Sequence, residues 1–331
     1  MKTRIFWIDI VKVLAILMVI LAHVLWIYEQ DGMLGEGMSS QFLTINRIIA
    51  SLGVPLFMLV SGSLLLGKQF ASKSDVLSFY RRGLLPLFLT AEIWIVVYCL
   101  LTLQPFSVKE LLLCMAFCHK PEVHLWYVRL IVVYYLALPL LTLLRYRWKT
   151  VFILLLAVIF SFTFLYNGWM IYRGVACPTS SNRSYFCYMV YMAVGYGLSH
   201  VRLSRVMMLS FLLLAIMGGY VLHLSLTETH YFLWYDNPML AIMAMSLFYL
   251  IRYSFSSISE RECMIEVSKM SYGVYLTHFV FIYVIGRAMK AYVCNPFVFY
   301  GALLAVFVAD ALLLSFVKRC LPKVSKVLFR Y

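Results

Sequence analysis

The chain has 331 residues, 64% of them hydrophobic and only 13% charged, with a mean hydropathy of +0.90. A soluble chain would hold about 45–50% apolar and about 25% charged residues, so soluble domains, disorder, collagen, a coiled coil and a disulfide-stapled scaffold are all excluded. The net charge of +14, from 28 Lys+Arg against 14 Asp+Glu, would suggest nucleic-acid binding in a soluble protein, and its meaning here depends on where the positive residues lie.

A spanning helix needs about 20 mostly apolar residues. Ten stretches qualify in chain order: 8–27, 48–66, 83–103, 125–144, 150–166, 185–199, 206–226, 235–251, 271–288 and 297–317. The sixth is short and rich in Tyr, and the eighth contains Asp236. The first is not a removable signal peptide: it is too long, lacks a small-residue cleavage site and carries Asp9 and Lys12. Nothing resembling a linker or a soluble domain interrupts the array, so residues 1–331 are expected to form a single membrane domain, an all-α bundle of about ten transmembrane helices.

The positive residues then sort by loop. With the N-terminus inside, nineteen fall on the cytoplasmic side: Lys2, Arg4, Lys68, Lys73, Arg81, Arg82, Arg145, Arg147, Lys149, Arg202, Arg205, Arg252, Arg261, Lys269 and five between Lys318 and Arg330. Six fall on the other side, namely Lys109, Lys120, Arg173, Arg183, Arg287 and Lys290. Short loops rich in Lys and Arg stay in the cytoplasm, so both termini are expected there. The charge excess records orientation in a bilayer, and no nucleic-acid partner is expected.

Charged groups within the hydrocarbon are costly unless paired or facing a wet cavity, which makes each a candidate for function. The first helix holds Asp9, Lys12 and His23. Lys12 and His23 are eleven residues apart, three turns, and share a face about 16 Å apart along the axis. His23 suits proton transfer near neutral pH, and Lys12 suits an anionic ligand arriving from the cytoplasm. The structural alternative gives Asp9 and Lys12 a salt bridge at the membrane boundary and His23 an interhelical hydrogen bond. Glu92, Arg129, His278 and Asp310 are further intramembrane candidates, each with an ordinary alternative, such as an ion pair between Glu92 and Arg129. Ser61 lies in the Ser61-Gly62-Ser63 run of the second span, where small-residue packing and a cavity explain the sequence equally well. Trp7, Trp26, Trp169 and Trp234 are expected as interfacial anchors, with Trp126 a candidate for the substrate site. Cys177 and Cys187 could bridge across an outer loop in an oxidising compartment. Cys114, Cys118, His119 and His124 fit no standard zinc spacing, so no metal is expected.

Four motifs carry a resemblance. Ile8-Asp9-Ile10-Val11-Lys12 through Ala22-His23, the run 52–62 (LGVPLFMLVSG), His124-Leu125-Trp126-Tyr127 with Tyr134 or Tyr135 and Pro139, and Ser271-Tyr272-Gly273-Val274-Tyr275-Leu276-Thr277-His278 together resemble the acyltransferase-3 family of integral-membrane acyltransferases. The short chain looks most like the enterobacterial common antigen O-acetyltransferase type. The resemblance implies transfer of an acyl group, usually acetyl from cytoplasmic acetyl-CoA, to a hydroxyl of an envelope glycan or lipid-linked saccharide, in a multi-pass protein of the bacterial inner membrane. It maps the family's essential histidine to His23 and its paired basic residue to Lys12, where most members carry Arg. Acyl-CoA is then a co-substrate held by Lys12 with Arg81 and Arg82, Asp9 would hold Lys12, and no cofactor is permanently bound. Ser61, Trp126, His278, Glu92 and Arg129 are the remaining substrate-site candidates. The chain departs from the family where an arginine is usual three residues before a proline: Gly83 precedes Pro86, which puts a phosphate-binding role for Arg81 and Arg82 in question. A secondary transporter or lipid-linked glycan exporter would use the same buried polar residues, and a non-catalytic membrane partner would tolerate their loss.

Overall fold

The computed structural model describes residues 5–30, 39–102, 107–116, 123–173, 184–225, 234–258, 261–289 and 296–330. All regular structure among them is helical. The helices are α1 (Phe6–Gln30), α2 (Ser40–Ser51), α3 (Gly53–Leu65), α4 (Lys73–Phe79), α5 (Leu85–Thr102), α6 (Val108–Met115), α7 (Trp126–Arg147), α8 (Lys149–Phe160), α9 (Tyr166–Tyr172), α10 (Ser184–Leu198), α11 (Arg205–Ser225), α12 (Pro238–Phe255), α13 (Glu262–Met289), α14 (Pro296–Cys320) and α15 (Pro322–Leu328).

Among the described residues, seven helical runs are long and apolar enough to cross a membrane: Phe6–Glu29, Ser40–Leu65, Lys73–Leu101, Trp126–Arg147, Lys149–Tyr172, Pro238–Phe255 and Pro296–Cys320. The other three expected spans coincide with the shorter apolar helices Tyr185–Leu198 and Arg205–Val221 and with α13, whose first two turns carry Glu262, Glu266 and Lys269. Exposed Leu154, Val158 and Phe162 on one run, Leu213, Leu214 and Met217 on α11, and Leu304, Leu312 and Phe316 on α14 form the apolar outer surface that a bilayer would cover.

Several helices begin earlier than hydropathy alone indicates, because capping rather than apolarity sets their start. The Ser39 hydroxyl accepts from the Phe42 amide at 3.2 Å, starting α2 well before Ile48. Ser72 and Asp75 form a reciprocal capping box that starts α4. The chain then runs through a π-helical turn, Tyr80–Leu84, straight into α5, so Arg81 and Arg82 belong to a continuous helix and not to a preceding loop.

The helix at the centre is α1. It packs against α2, α3, α12, α13 and α14, and Val11, Ala15, Ile16 and Ile20 are completely buried. A helix apolar on all sides belongs inside a bundle. This position corrects the expectation for Trp7, which is no interfacial anchor: it is 7% exposed and meets Phe248 of α12 edge-on. Beside α1, α3 and α10 touch backbone to backbone. A Cβ on Gly62 would lie 1.8 Å from the Met192 carbonyl oxygen, and one on Gly195 would lie 2.1 Å from that of Leu59. Gly62 is therefore a packing residue, while its neighbour Ser61 lines a cavity, so each reading of that run holds for a different residue. Cys187 is a buried free thiol, while Cys177, Cys118 and His119 lie outside the described residues. Among the described residues no group of three His, Cys, Asp or Glu side chains is placed to hold a metal.

Candidate active site

Three helices bring histidines together midway along the bundle. His23 comes from α1, His278 from α13, and His124 from the short turn that opens α7. His278 Nε2 lies 3.0 Å from His23 Nδ1, and His278 Nδ1 lies 3.1 Å from the Val274 carbonyl one turn back. A carbonyl can only accept, so His278 Nδ1 carries the proton. With both rings neutral, His278 Nε2 must then accept, and His23 Nδ1 must donate to it. The remaining ring nitrogen, His23 Nε2, is left with its lone pair. Two bonds thus fix a tautomer in which His23 is ready to take a proton or attack a carbonyl.

The His124 ring fills the space behind this pair. It stacks on Phe279 at 4.6 Å, meets Tyr98 edge-on at 4.7 Å and stands 5.3 Å from the His278 ring. Its backbone carbonyl accepts the Tyr275 hydroxyl, and the Tyr98 hydroxyl donates to the Leu276 carbonyl at 2.8 Å. These bonds tie α5 and the start of α7 to α13, so the register of His278 is set from outside its own helix.

Cavities approach the pair from both ends. On the expected outer side a cavity of about 290 Å³ is lined by His23, Trp26, Trp126, Trp234 and Tyr235 together with Glu29 and Arg47. Glu29 and Arg47 form an ion pair at 2.8 Å. On the expected cytoplasmic side a cavity of about 250 Å³ is lined by Lys12, Phe57, Ser61, Tyr127 and Tyr275 among others. It meets a wider hollow of about 650 Å³ that holds Lys68, Arg82 and Asp75. Tyr135 and Arg330 line both of these inner cavities. The Tyr275 ring links the two sides, lying 5.9 Å from the His278 ring that holds His23. Lys12 and His23 share a helix face but open onto different cavities, with this aromatic partition between them.

The other expected site residues divide in the same way. Ser61 lines the inner cavity, donating to the Phe57 carbonyl at 2.8 Å, with the Tyr127 hydroxyl as a second hydrogen-bonding neighbour. Trp126 lines the outer cavity and stacks obliquely with Tyr188 and Tyr235. Arg82 lines the wide inner hollow, and Arg81, one residue away, lines none of these three cavities. Asp9 is buried and accepts the Ser268 hydroxyl at 2.5 Å, binding α1 to α13. Glu92 and Arg129 lie outside all three cavities. The Arg129 guanidinium donates to the Cys114 carbonyl at 3.0 Å and acts electrostatically on Glu92. Asp310 is buried and accepts from Thr277, the neighbour of His278, at 2.6 Å.

The sequence reading gave no site role to His124, Tyr275, Glu29, Arg47 or Arg330. His124 and Tyr275 sit within quoted motifs and could have been drawn from them. Arg330 is 247 residues from Gly83 in the chain, yet its Nη1 lies 3.5 Å from the Gly83 carbonyl. The place where an arginine was expected from sequence is thus reached by a guanidinium from the other end of the chain. The sequence model of a family described as an acyltransferase domain, Acyl_transf_3, matches residues 5–316. No curated protein and no solved structure matches the chain.

Proposed function

The chain belongs to the acyltransferase-3 family of membrane acyltransferases, and from that premise we propose that it moves an acyl group, most simply acetyl, from cytoplasmic acyl-CoA to a hydroxyl of an envelope glycan or lipid-linked saccharide. The observation that carries this reading is the His278–His23 hydrogen bond, which leaves Nε2 unprotonated on a histidine that lines the outer cavity. The donor would enter from the inner side, its anionic end near Arg82 and its acyl arm in the narrow cavity past Lys12. The acceptor would enter the outer cavity, whose Trp and Tyr faces suit the apolar faces of sugar rings.

In the direct route, His23 Nε2 takes the proton of the acceptor hydroxyl as its oxygen attacks the thioester carbonyl. The C–O bond forms, the C–S bond breaks, and the departing thiolate takes the proton back from His23. In the two-step route Nε2 itself bonds to the carbonyl carbon as the C–S bond breaks and a thiolate leaves; the acceptor oxygen then displaces Nε2, and the hydroxyl proton neutralises the thiolate. Either route needs the donor's acyl end, with its phosphates left behind, to pass the aromatic partition at Tyr275. His278 acts through His23, holding the ring in the reactive tautomer, and is a positioning residue.

The test compares envelope glycans from deletion cells complemented with wild type or with His23→Ala. An acetyl-sized mass difference restored by wild type alone is expected. Equal restoration by a His23→Ala protein that inserts and accumulates normally would overturn the proposal, as would saccharide flux without any acyl transfer.

A further inference from the structure

We propose that Arg330, beyond the residues matched by the family model, completes a phosphate-binding site for the donor at the mouth of the inner cavity. This inference rests on the acyl-CoA reading above. It starts from how the segment after α14 is held. Helix α15 lies against α5 and α14, and Phe329 is 4% exposed. The Phe329 ring packs 5.8 Å from that of Trp94, and its Cβ lies 3.1 Å from where a Cβ on Gly273 would stand. Two side chains of α5 then capture the backbone: Thr90 donates to the Val327 carbonyl at 2.9 Å and the Trp94 indole donates to that of Leu328 at 2.8 Å.

Directly after this anchor, Arg330 adopts φ 55°, the left-handed region that a non-glycine residue enters only at an energetic cost. The anchored residues before it impose that turn, and the turn delivers the guanidinium to the waist between the narrow and wide inner cavities. There it faces Tyr135 and Tyr272 and reaches the Gly83 carbonyl at 3.5 Å. Among the described residues no carboxylate is hydrogen-bonded to it. The acid lining the wide hollow, Asp75, has its Oδ2 engaged by the Ala71 and Ser72 amides at 3.0 and 2.9 Å. Lys68 and Arg82 complete a cationic mouth of about 650 Å³ that narrows, at Arg330, to an aromatic passage of about 250 Å³.

A wide cationic mouth over a thin, mostly uncharged passage matches a molecule with a polyanionic head and a slender arm. Guanidinium is well suited to phosphate because its planar fork donates two parallel hydrogen bonds. At the waist, Arg330 would grip the phosphate closest to the arm and set how deep the arm reaches. A phosphate from an anionic lipid headgroup has the same chemistry, but the narrow cavity is lined by Tyr275, whose ring lies 5.9 Å from that of His278, which favours a donor whose arm must reach the histidines.

The test is binding of coenzyme A to the detergent-purified full chain, by calorimetry, for wild type, Arg330→Gln, Arg330→Lys and Arg205→Gln. Arg205 stacks on Tyr253 on a different part of the expected cytoplasmic face and controls for loss of one positive charge. The expected result is a Kd raised about tenfold or more in Arg330→Gln, partly recovered in Arg330→Lys, unchanged in Arg205→Gln, and less different from wild type at high salt. With acetyl-pantetheine, which has no phosphate, wild type and Arg330→Gln are expected to bind alike. Tight binding of coenzyme A by wild type with no change in Arg330→Gln would overturn the role of Arg330 alone, while failure of wild type to bind would overturn the donor reading with it. Displacement of coenzyme A by phosphatidylglycerol vesicles in wild type but not in Arg330→Gln would assign the site to lipid instead.

Discussion

His23 and His278 are joined by one hydrogen bond, yet their substitution should have different consequences. His23→Gln removes the ring nitrogen that this bond leaves with a lone pair, on a residue that lines the outer cavity, and a positioned base of this kind is worth about 10²–10⁴ in rate. His278→Gln keeps that nitrogen but removes the acceptor that fixes its tautomer, a loss of about one hydrogen bond or about tenfold. The expected kinetics are therefore near-complete loss of kcat in His23→Gln, and a moderate fall in kcat with unchanged donor KM in His278→Gln. Equal losses in both variants, with both proteins folded, would mean that His278 itself touches the reacting groups. If the two-step route operates, acetyl should accumulate on His23 when labelled donor is supplied without acceptor. Sequence spacing was enough to single out His23, because a histidine deep in an apolar helix is costly and therefore conspicuous. Its tautomer was not legible, since that depends on a residue 255 positions away.

The helices were legible where hydropathy alone defines them and less so where contact defines them. Hydropathy located the apolar part of each span but missed the polar starts at Ser39 and Ser72, which a capping pattern determines. It also separated Arg81 and Arg82 from the helix they occupy. The π-helical turn through them gives Arg82 a place in the wide inner hollow and Arg81 none, a distinction without any signal in two adjacent identical residues. The ambiguity at Gly62 had the same origin: a glycine in a spanning helix is equally consistent with a cavity or a close crossing, and only the partner helix decides. The observed contact makes a sharp prediction. Gly62→Ala must push α3 and α10 apart, since the new methyl meets backbone that cannot rotate away. Overpacking commonly costs about 1–3 kcal/mol where side chains can yield, so a larger loss is expected here, read as a lower midpoint of thermal unfolding in detergent. Gly197→Ala, on the same helix as Gly195 but with no atom within 4 Å of the added carbon, should leave that midpoint unchanged.

At the scale of the whole molecule, the proposed reaction would give each substrate its own cavity. Charge asymmetry, read from sequence, assigned Lys68 and Arg82 to the cytoplasmic side. The fold places them in the same wide hollow and places Trp234 with His23 in the cavity at the opposite end of α1. Under the proposed reaction, two cavities separated by an aromatic partition would let the acyl group pass from one side to the other while neither substrate crosses the bilayer. This makes accessibility a decisive measurement. In a background with the native cysteines, including exposed Cys263 and Cys320, replaced by serine, Lys68→Cys should react with a membrane-impermeant maleimide in inverted vesicles and not in intact cells. Trp234→Cys, 36% exposed at the native residue, should show the reverse. Prior addition of coenzyme A should slow the reaction at Lys68→Cys and leave Trp234→Cys unaffected, because the partition keeps the bound donor's phosphates on the inner side. Labelling of both positions from one side would overturn the two-entrance arrangement, and protection of Trp234→Cys by coenzyme A would place the donor in the cavity assigned to the acceptor.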